Sequence, residues 1–240
     1  MSSFNEWNYD NIIEIFKSQK IELTIDQAQK LCVFGEFLQQ KNQEINLTAI
    51  VDTNEVIVKH FLDSALIVPF IPTNANLCDV GCGAGFPSVV AKILRPDITI
   101  TAVDSVGKKI AFVTELLAKI QVDGQTKNLR AEDLAKTNRE YYDVVTARAV
   151  ANLTTLLEYL APLVRLGGLI IAQKGKDGVS EAKDADFCAK TMGLTLCNSL
   201  LTHLPNGDQR MILVYKKVNS TPQKYPRPKN APKKNPLTNG

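Results

Sequence analysis

The residues with the most chemical content lie in one short run, Leu77-Cys-Asp-Val-Gly-Cys-Gly-Ala-Gly-Phe-Pro87. Glycines 81, 83 and 85 sit where a short strand-like stretch gives way to an amphipathic one, so they occupy a strand-to-helix turn. Without Cβ atoms that turn can be tight, and a ligand can lie against bare backbone. Asp104 closes the next apolar run, 23 residues after Gly81, where a carboxylate can bond ribose hydroxyls. A glycine turn with a downstream acid points to a nucleoside-containing cofactor.

Spacing narrows the cofactor. The dinucleotide fingerprint needs a glycine at position 86, which is phenylalanine, and no Gly-Lys-Ser/Thr of a P-loop is present. The pattern is D-x-G-x-G-x-G, with Asp79 two residues before the first glycine. It resembles motif I of the Rossmann-like S-adenosylmethionine methyltransferases, which implies S-adenosyl-L-methionine as cofactor and Asp79 as a partner for its amino-acid end.

The methyl acceptor is narrowed by what is missing. Enzymes that methylate exocyclic amines of adenine carry an Asn/Asp-Pro-Pro-aromatic element after the fourth strand, and here that place reads Ala147-Arg148-Ala149-Val150. Cytosine-C5 chemistry needs a thiolate. None of Cys78, Cys82, Cys188 and Cys197 has a Pro-Cys or Thr-Cys setting, so each reads as small apolar filler. A ring nitrogen such as guanine N7 has an exposed lone pair and no proton to lose, so it demands no general base. Alignment alone can supply roughly 7–11 kcal/mol of such a barrier.

Longer strings then occur in order: Asn46-Leu-Thr-Ala-Ile50, Lys59-His-Phe-Leu-Asp-Ser64, Asp79 to Pro87, Asp104-Ser105 with Lys108-Lys109, and Arg130-Ala-Glu132. Thr146-Ala-Arg-Ala149, Gly167-Gly168, Lys174-Gly175 and Pro232-Lys-Lys-Asn-Pro-Leu237 continue them. Over roughly residues 45–237 the chain resembles the bacterial small-subunit rRNA methyltransferase G family, also called glucose-inhibited division protein B. The resemblance implies methylation of N7 of one guanine in 16S rRNA, near the decoding centre and within the small ribosomal subunit. It also implies that Gly81, Gly83, Gly85 and Phe86 hold the cofactor with Asp79, and that Asp104 meets the ribose. Ala131 and Glu132 would meet the adenine, and Arg148 would stand near both cofactor and target as a positioning residue. Two departures stand out: Ser88 replaces the glycine usual after Phe-Pro, and Pro228-Lys229-Asn230 replaces an Arg-x-Gly stretch.

These residues need a frame. Helical periodicity predicts helices over 9–20 and 53–68, and a second helix opening at the Thr24-Ile-Asp-Gln27 capping box with a stripe of Ala28, Leu31, Cys32, Gly35 and Leu38. Short apolar runs at 77–80, 98–103, 126–130, 142–146 and 169–172 then alternate with amphipathic ones at 86–94, 108–122 and 153–166. That alternation predicts βαβ units and a mainly parallel sheet. A helix over 178–192 precedes strands over 194–204 and 210–218, joined at Pro205-Asn-Gly207. The expected fold is an α/β, Rossmann-like methyltransferase sheet with an antiparallel terminal hairpin. Its expected parts are an N-terminal helical extension (1–72), the methyltransferase domain (73–218) and a basic, proline-rich tail (219–240).

Composition agrees with such a domain: 240 residues, 45% apolar and 22% charged, exclude wholesale disorder. No apolar run approaches the ~18 residues of a membrane span, and the first ten residues hold two acids and no base, unlike a secretory signal. Five irregularly spaced cysteines and two histidines predict reduced thiols, a cytoplasmic location and no structural zinc.

From Lys216 onward there are seven bases, no acid and five of the eleven prolines. That composition predicts an open basic strap for a polyanion, and Tyr225-Pro-Arg227 adds an aromatic able to stack on a base. Lys224, Arg227, Lys233 and Lys234 of this strap are candidate RNA contacts, together with His60, Lys109, Lys174 and Arg210. Two other readings remain: a small-molecule methyltransferase, which leaves the tail unexplained, and a non-catalytic RNA-binding assembly factor, which leaves the glycine turn unexplained.

Overall fold

The computed structural model describes residues 7–148, 151–228 and 230–238, so Ala149, Val150 and Lys229 of the strings above lie outside the described residues. Helix α1 (Tyr9–Ser18) starts where Asn8 accepts the Asp10 N–H at 2.8 Å, and it buries Ile12 and Phe16. Helix α2 (Ile25–Ile45) opens on the expected capping box. The Gln27 N–H donates to Thr24 Oγ1 at 3.2 Å and the Thr24 N–H to Gln27 Oε1 at 2.9 Å. The third helical segment runs as α3 (Thr53–Val56), a π-helical stretch over Ile57–Leu62, and α4 (Asp63–Ala65). The widened turn, invisible to periodicity, carries Lys59 and His60. These helices share one core with the sheet: the Phe34 ring stacks on Phe86 at 5.0 Å and tilts against Phe61 at 5.2 Å.

The alternating half gives β1 (Asn76–Val80), α5 (Ser88–Leu94), β2 (Thr99–Val103), α6 (Gly107–Lys119), β3 (Gln125–Lys127), α7 (Ala131–Thr137), β4 (Tyr142–Arg148), α8 (Leu153–Leu160) and β5 (Val164–Lys174). Then follow α9 (Gly178–Asp184), α10 (Asp186–Thr191), β6 (Leu194–His203), β7 (Gln209–Lys217) and α11 (Ala231–Lys234). Strand order is β3-β2-β1-β4-β5-β7-β6. The first five are parallel, and β7 runs antiparallel to both β5 and β6. The winding reverses between β1 and β4, so their carboxyl ends flank the crevice where open α/β sheets bind ligands.

Several element boundaries differ from expectation: the strand expected over 126–130 ends at Lys127 and the helix expected over 108–122 at Lys119. The helix expected over 153–166 stops at Leu160, and β5 begins at Val164, which pairs with Tyr142. Pro162 ends the helix, and the apolar Leu163-Val164 pair fits strand as well as helix. The helix expected over 178–192 is two, parted at Ala185.

The open strap is corrected: in its described residues the tail is docked. Lys217, 1% exposed, donates to the Ala161 carbonyl and to Thr221 Oγ1. Arg139 donates to the Thr221 and Tyr225 carbonyls at 2.7 and 3.0 Å. Arg227 holds Glu158, 1% exposed, through bonds of 2.7 and 2.9 Å, and Thr155 Oγ1 donates to the Pro232 carbonyl at 3.0 Å. Prolines remove donors but leave carbonyls, and here side chains of the domain satisfy those carbonyls. Tyr225, at 6% exposed, faces the core and offers no surface to a nucleobase.

Candidate active site at the carboxyl edge of the sheet

The glycine turn, which leaves β1, is held from the carboxyl end of β2. The Gly81 N–H donates to the Val103 carbonyl at 2.7 Å and the Gly83 N–H to Asp104 Oδ2 at 3.0 Å, while Asp104 Oδ1 accepts the Val106 N–H at 2.9 Å. Asp104 therefore braces the turn with the carboxylate expected at the ribose. Gly83 has φ +57°, and a Cβ there would meet nothing within 4 Å, so its backbone borders open space. Gly85 (φ +93°) differs: a Cβ would come within 2.8 Å of Val89 Cγ2, so its bareness lets the turn pack on α5 rather than opening it to a ligand.

Asp79, at the end of β1, is fully buried. Its Oδ2 accepts the Ser88 N–H at 3.1 Å, and its Oδ1 has no partner among the described residues. Burial, opposed by Ser88 and Arg148, pushes its carboxyl up to about 7. A buried acceptor without a donor is costly, and the ammonium of a bound amino acid supplies one. Ser88 itself is buried with an unpartnered hydroxyl, so the departure from glycine adds a polar atom beside this carboxyl.

Two cavities open at this edge. One, of about 290 Å³, gathers Gly81 and Ser105 from the strand ends, Arg130, Ala131 and Glu132 at the start of α7, Tyr159, and Asn230 with Lys233 from the tail. The other, of about 380 Å³, is lined by Lys59, His60, Asp63, Arg148, Gln173, Lys174 and Arg210. Size does not single them out, since a hollow of about 480 Å³ at the amino ends of β1 and β2 holds none of these residues.

The second cavity is organised by Asp63, whose side chain is 5% exposed. Its carboxylate accepts from Arg148 at 3.1 Å, Arg210 at 2.9 Å and Gln173 Nε2 at 2.8 Å, joining α4 to β4, β7 and β5. The Arg148 guanidinium also lies 5.0 Å over the Phe86 ring and donates to His60 Nδ1 at 3.2 Å. Guanidinium can only donate, so His60 Nδ1 accepts and its Nε2–H donates to Thr48 Oγ1 at 2.8 Å. Burial and the Arg148 charge pull the imidazole down to about 4, so it is neutral at pH 7. Stacked on Phe86 at 4.7 Å, His60 walls the cavity with its ring while both nitrogens are engaged internally.

Of the residues singled out in the sequence, the tertiary structure brings Gly81, Ala131 and Glu132 to the first cavity, with Asp79, Gly83 and Asp104 in the turn beside it. His60, Arg148, Lys174 and Arg210 meet at the second. Lys174 is already tied to Glu181 at 2.8 Å and to the Ala151 carbonyl at 2.7 Å. Lys109, Lys224 and Lys234 line neither cavity, and the Arg227 guanidinium is committed to Glu158. Sequence reasoning passed over Asp63, Gln173, Glu158 and Tyr159. For Asp63 the available signal was an acid between Leu62 and Ala65, on a segment that otherwise reads as core.

A family model for rRNA small subunit methyltransferase G matches residues 27–209. The chain belongs to that family. It is 42% identical over 228 residues to a "Ribosomal RNA small subunit methyltransferase G" of Ligilactobacillus salivarius, covering 91% of this chain and 95% of the relative. It is 39% identical over 238 residues to the protein of that name from Staphylococcus aureus strain JH9, covering 97% and 98%. Among solved structures, the YcgJ protein of Bacillus subtilis superposes with a TM-score of 0.53 at 12% identity, over 67% of this chain and all of that one. A ribosomal protein L11 methylase from Lactobacillus delbrueckii subsp. bulgaricus gives 0.53 at 14% identity, over 67% and 79%. At those identities the likeness is one of fold. Membership of the methyltransferase G family makes the chain a methyltransferase and S-adenosyl-L-methionine its cofactor. The bare backbone at Gly83 and the partnerless Asp79 oxygen fit that group.

Every thiol in or near the site is unsuited to covalent addition. Burial pushes Cys78 and Cys82 well above the ordinary thiol range and Cys188 up to about 12. No disulfide forms among them.

Proposed function

We propose that this chain methylates N7 of one guanine of 16S rRNA, presented in the small ribosomal subunit, with the cofactor in the glycine-turn cavity and the guanine in the Asp63 cavity. The observation that carries the reading is the state of the second cavity. It is ringed by Lys59, Arg148, Lys174 and Arg210, and among its described residues each carboxylate and the one imidazole are already ion-paired or hydrogen-bonded within the protein. Asp63 accepts from two guanidiniums and an amide, Glu181 is paired through Oε2 with Lys174 and the Leu153 N–H, and neutral His60 has both nitrogens engaged. An acceptor that must lose a proton is badly served there. Guanine N7, which loses none, is well served.

S-adenosylmethionine, when bound, supplies a methyl group on a sulfonium. The guanine would supply the N7 lone pair that takes this methyl, with no proton to be removed. The protein's part is placement. Asp79, Gly81, Gly83, Phe86, Asp104, Ala131 and Glu132 hold the cofactor side, while Arg148, anchored by Asp63 and stacked on Phe86, fixes the boundary between the two sides. Lys174 and Arg210 steer the rRNA backbone towards the cavity, and Lys109, Lys224 and Lys234 extend the same positive field around it. Orientation of this kind supplies roughly 7–11 kcal/mol in favourable cases.

Mapping methylated bases of 16S rRNA from a strain lacking the gene tests the reading. One N7-methylguanine is expected to disappear, and purified protein is expected to restore it on isolated small subunits. A complete set of methyl groups in the deletion strain overturns the assignment.

A further inference from the structure

The cavity at Gly81, where the glycine turn begins, is not closed by the methyltransferase sheet alone. Its outer wall is the tail: Asn230 and Lys233 face Gly81, Ser105, Glu132 and Tyr159 across about 290 Å³. We propose that Lys233 is a cofactor-binding residue, its ammonium donating to the acceptor atoms of the adenosyl group. This rests on the reading that the cavity holds S-adenosylmethionine, and it moves Lys233 out of the RNA-binding set.

The argument begins with how firmly the segment is held. Arg227 fastens the stretch before it to buried Glu158 and also donates to the Asn235 carbonyl at 2.8 Å, closing the segment into a loop. Within the loop, buried Pro232 receives Thr155 Oγ1 at 3.0 Å. Asn230 adopts the left-handed conformation, φ +58°, at the place where the family pattern has glycine. Asparagine is among the few side chains that tolerate it. Its Oδ1 accepts from Arg130 at 3.2 Å, tying the loop to the rim of the cavity. Lys233 follows on α11, between buried Pro232 and exposed Lys234, and lines the cavity while its neighbour does not.

The chemistry fits one end of the ligand. Gly81, Ser105 and the start of α7 would hold the nucleoside end, whose ring nitrogens and ribose oxygens are acceptors. Side chains at the cavity already offer a carboxylate, Glu132, but apart from Arg130, which is bonded to Asn230, Lys233 is the cation among the described lining residues. A flexible ammonium with three donors can follow either acceptor set.

Titration calorimetry on the full chain tests the proposal with two probes, S-adenosylhomocysteine and 5′-methylthioadenosine, which lacks the amino-acid end. Lys233→Ala is expected to weaken both by a similar factor, about tenfold for a lost charge-assisted bond, with Lys233→Arg recovering most of it. Lys216→Ala, an exposed cation away from the cavity, is expected to leave both affinities unchanged. Lys233 is exposed and alanine favours helix, so an unaltered apo melting temperature confirms a folded variant. Wild-type affinity in Lys233→Ala overturns the proposal, as does a loss confined to S-adenosylhomocysteine. A wild-type chain that binds neither probe instead overturns the underlying reading of the cavity.

Discussion

Asp79 is a buried and His60 a half-buried ionisable side chain of the site, and desolvation moves them in opposite directions. The Asp79 carboxyl rises to about 7 from an ordinary 3.8, so between those values the folded chain holds a proton that the unfolded chain has lost. Stability from this group is therefore present at low pH and is lost as pH rises through about 7. Asp79→Asn removes the dependence. The melting temperature of the apo protein is expected to fall less between pH 5 and 8 in the variant than in the wild type. Cofactor binding at pH 6.5 is expected to release a proton in the wild type and none in the variant, read by calorimetry in buffers of different ionisation heat. The same proton release from both proteins would remove Asp79 from the cofactor's ammonium end. His60 runs the other way: depressed to about 4, it favours folding above its ordinary 6.5 and loses that contribution as pH falls towards 4.

Among the elements, the tail shows how composition and placement part company. Seven bases, five prolines and no acid read as solvated chain. Yet Glu158 on α8 is 1% exposed and needs a counter-ion, and Arg227 supplies it. Breaking a buried pair by removing one partner leaves an uncompensated charge, at a cost of about 3–5 kcal/mol. Arg227→Ala is therefore expected to lower unfolding stability by that order in denaturant titrations and to expose the tail to proteolysis before global unfolding. Stability within about 0.5 kcal/mol of wild type, typical of a surface substitution, would mean the tail is not anchored there. The π-helical turn at Ile57–Leu62 is the other element that matters, because it precedes Asp63 and sets Lys59 and His60 at the cavity.

For the molecule as a whole, charge is divided between inside and outside. Lys217 and Arg227 are spent within the fold, which leaves Lys216, Lys224, Lys233 and Lys234 as the exposed cations among the described residues from 216 onward. Replacing both Lys224 and Lys234 with alanine is expected to lower the slope of log affinity for rRNA against log salt by about 1.5, near 0.7–0.9 for each phosphate left without its lysine, with cofactor affinity intact. An unchanged slope would show that these lysines face solvent only.

The one-dimensional pattern was enough for the βαβ sheet, the antiparallel closing hairpin, the α2 capping box and the glycine turn. Each is written in neighbours a few residues apart, through strand and helix periodicity, a Thr–Gln exchange and the absence of Cβ atoms. The strings at 59–64, 79–87, 130–132 and 146–148 were legible for the same reason. What waited for the tertiary structure is the meeting of distant segments. Asp63 meets Arg148, Gln173 and Arg210 across as many as 147 positions, and Glu158 draws in Arg227. Whether a charged side chain is a solvated surface group or a buried partner depends on what the fold places against it. Local sequence does not encode that neighbour, which is why Asp63 has no role legible in its own string and the basic tail reads as open.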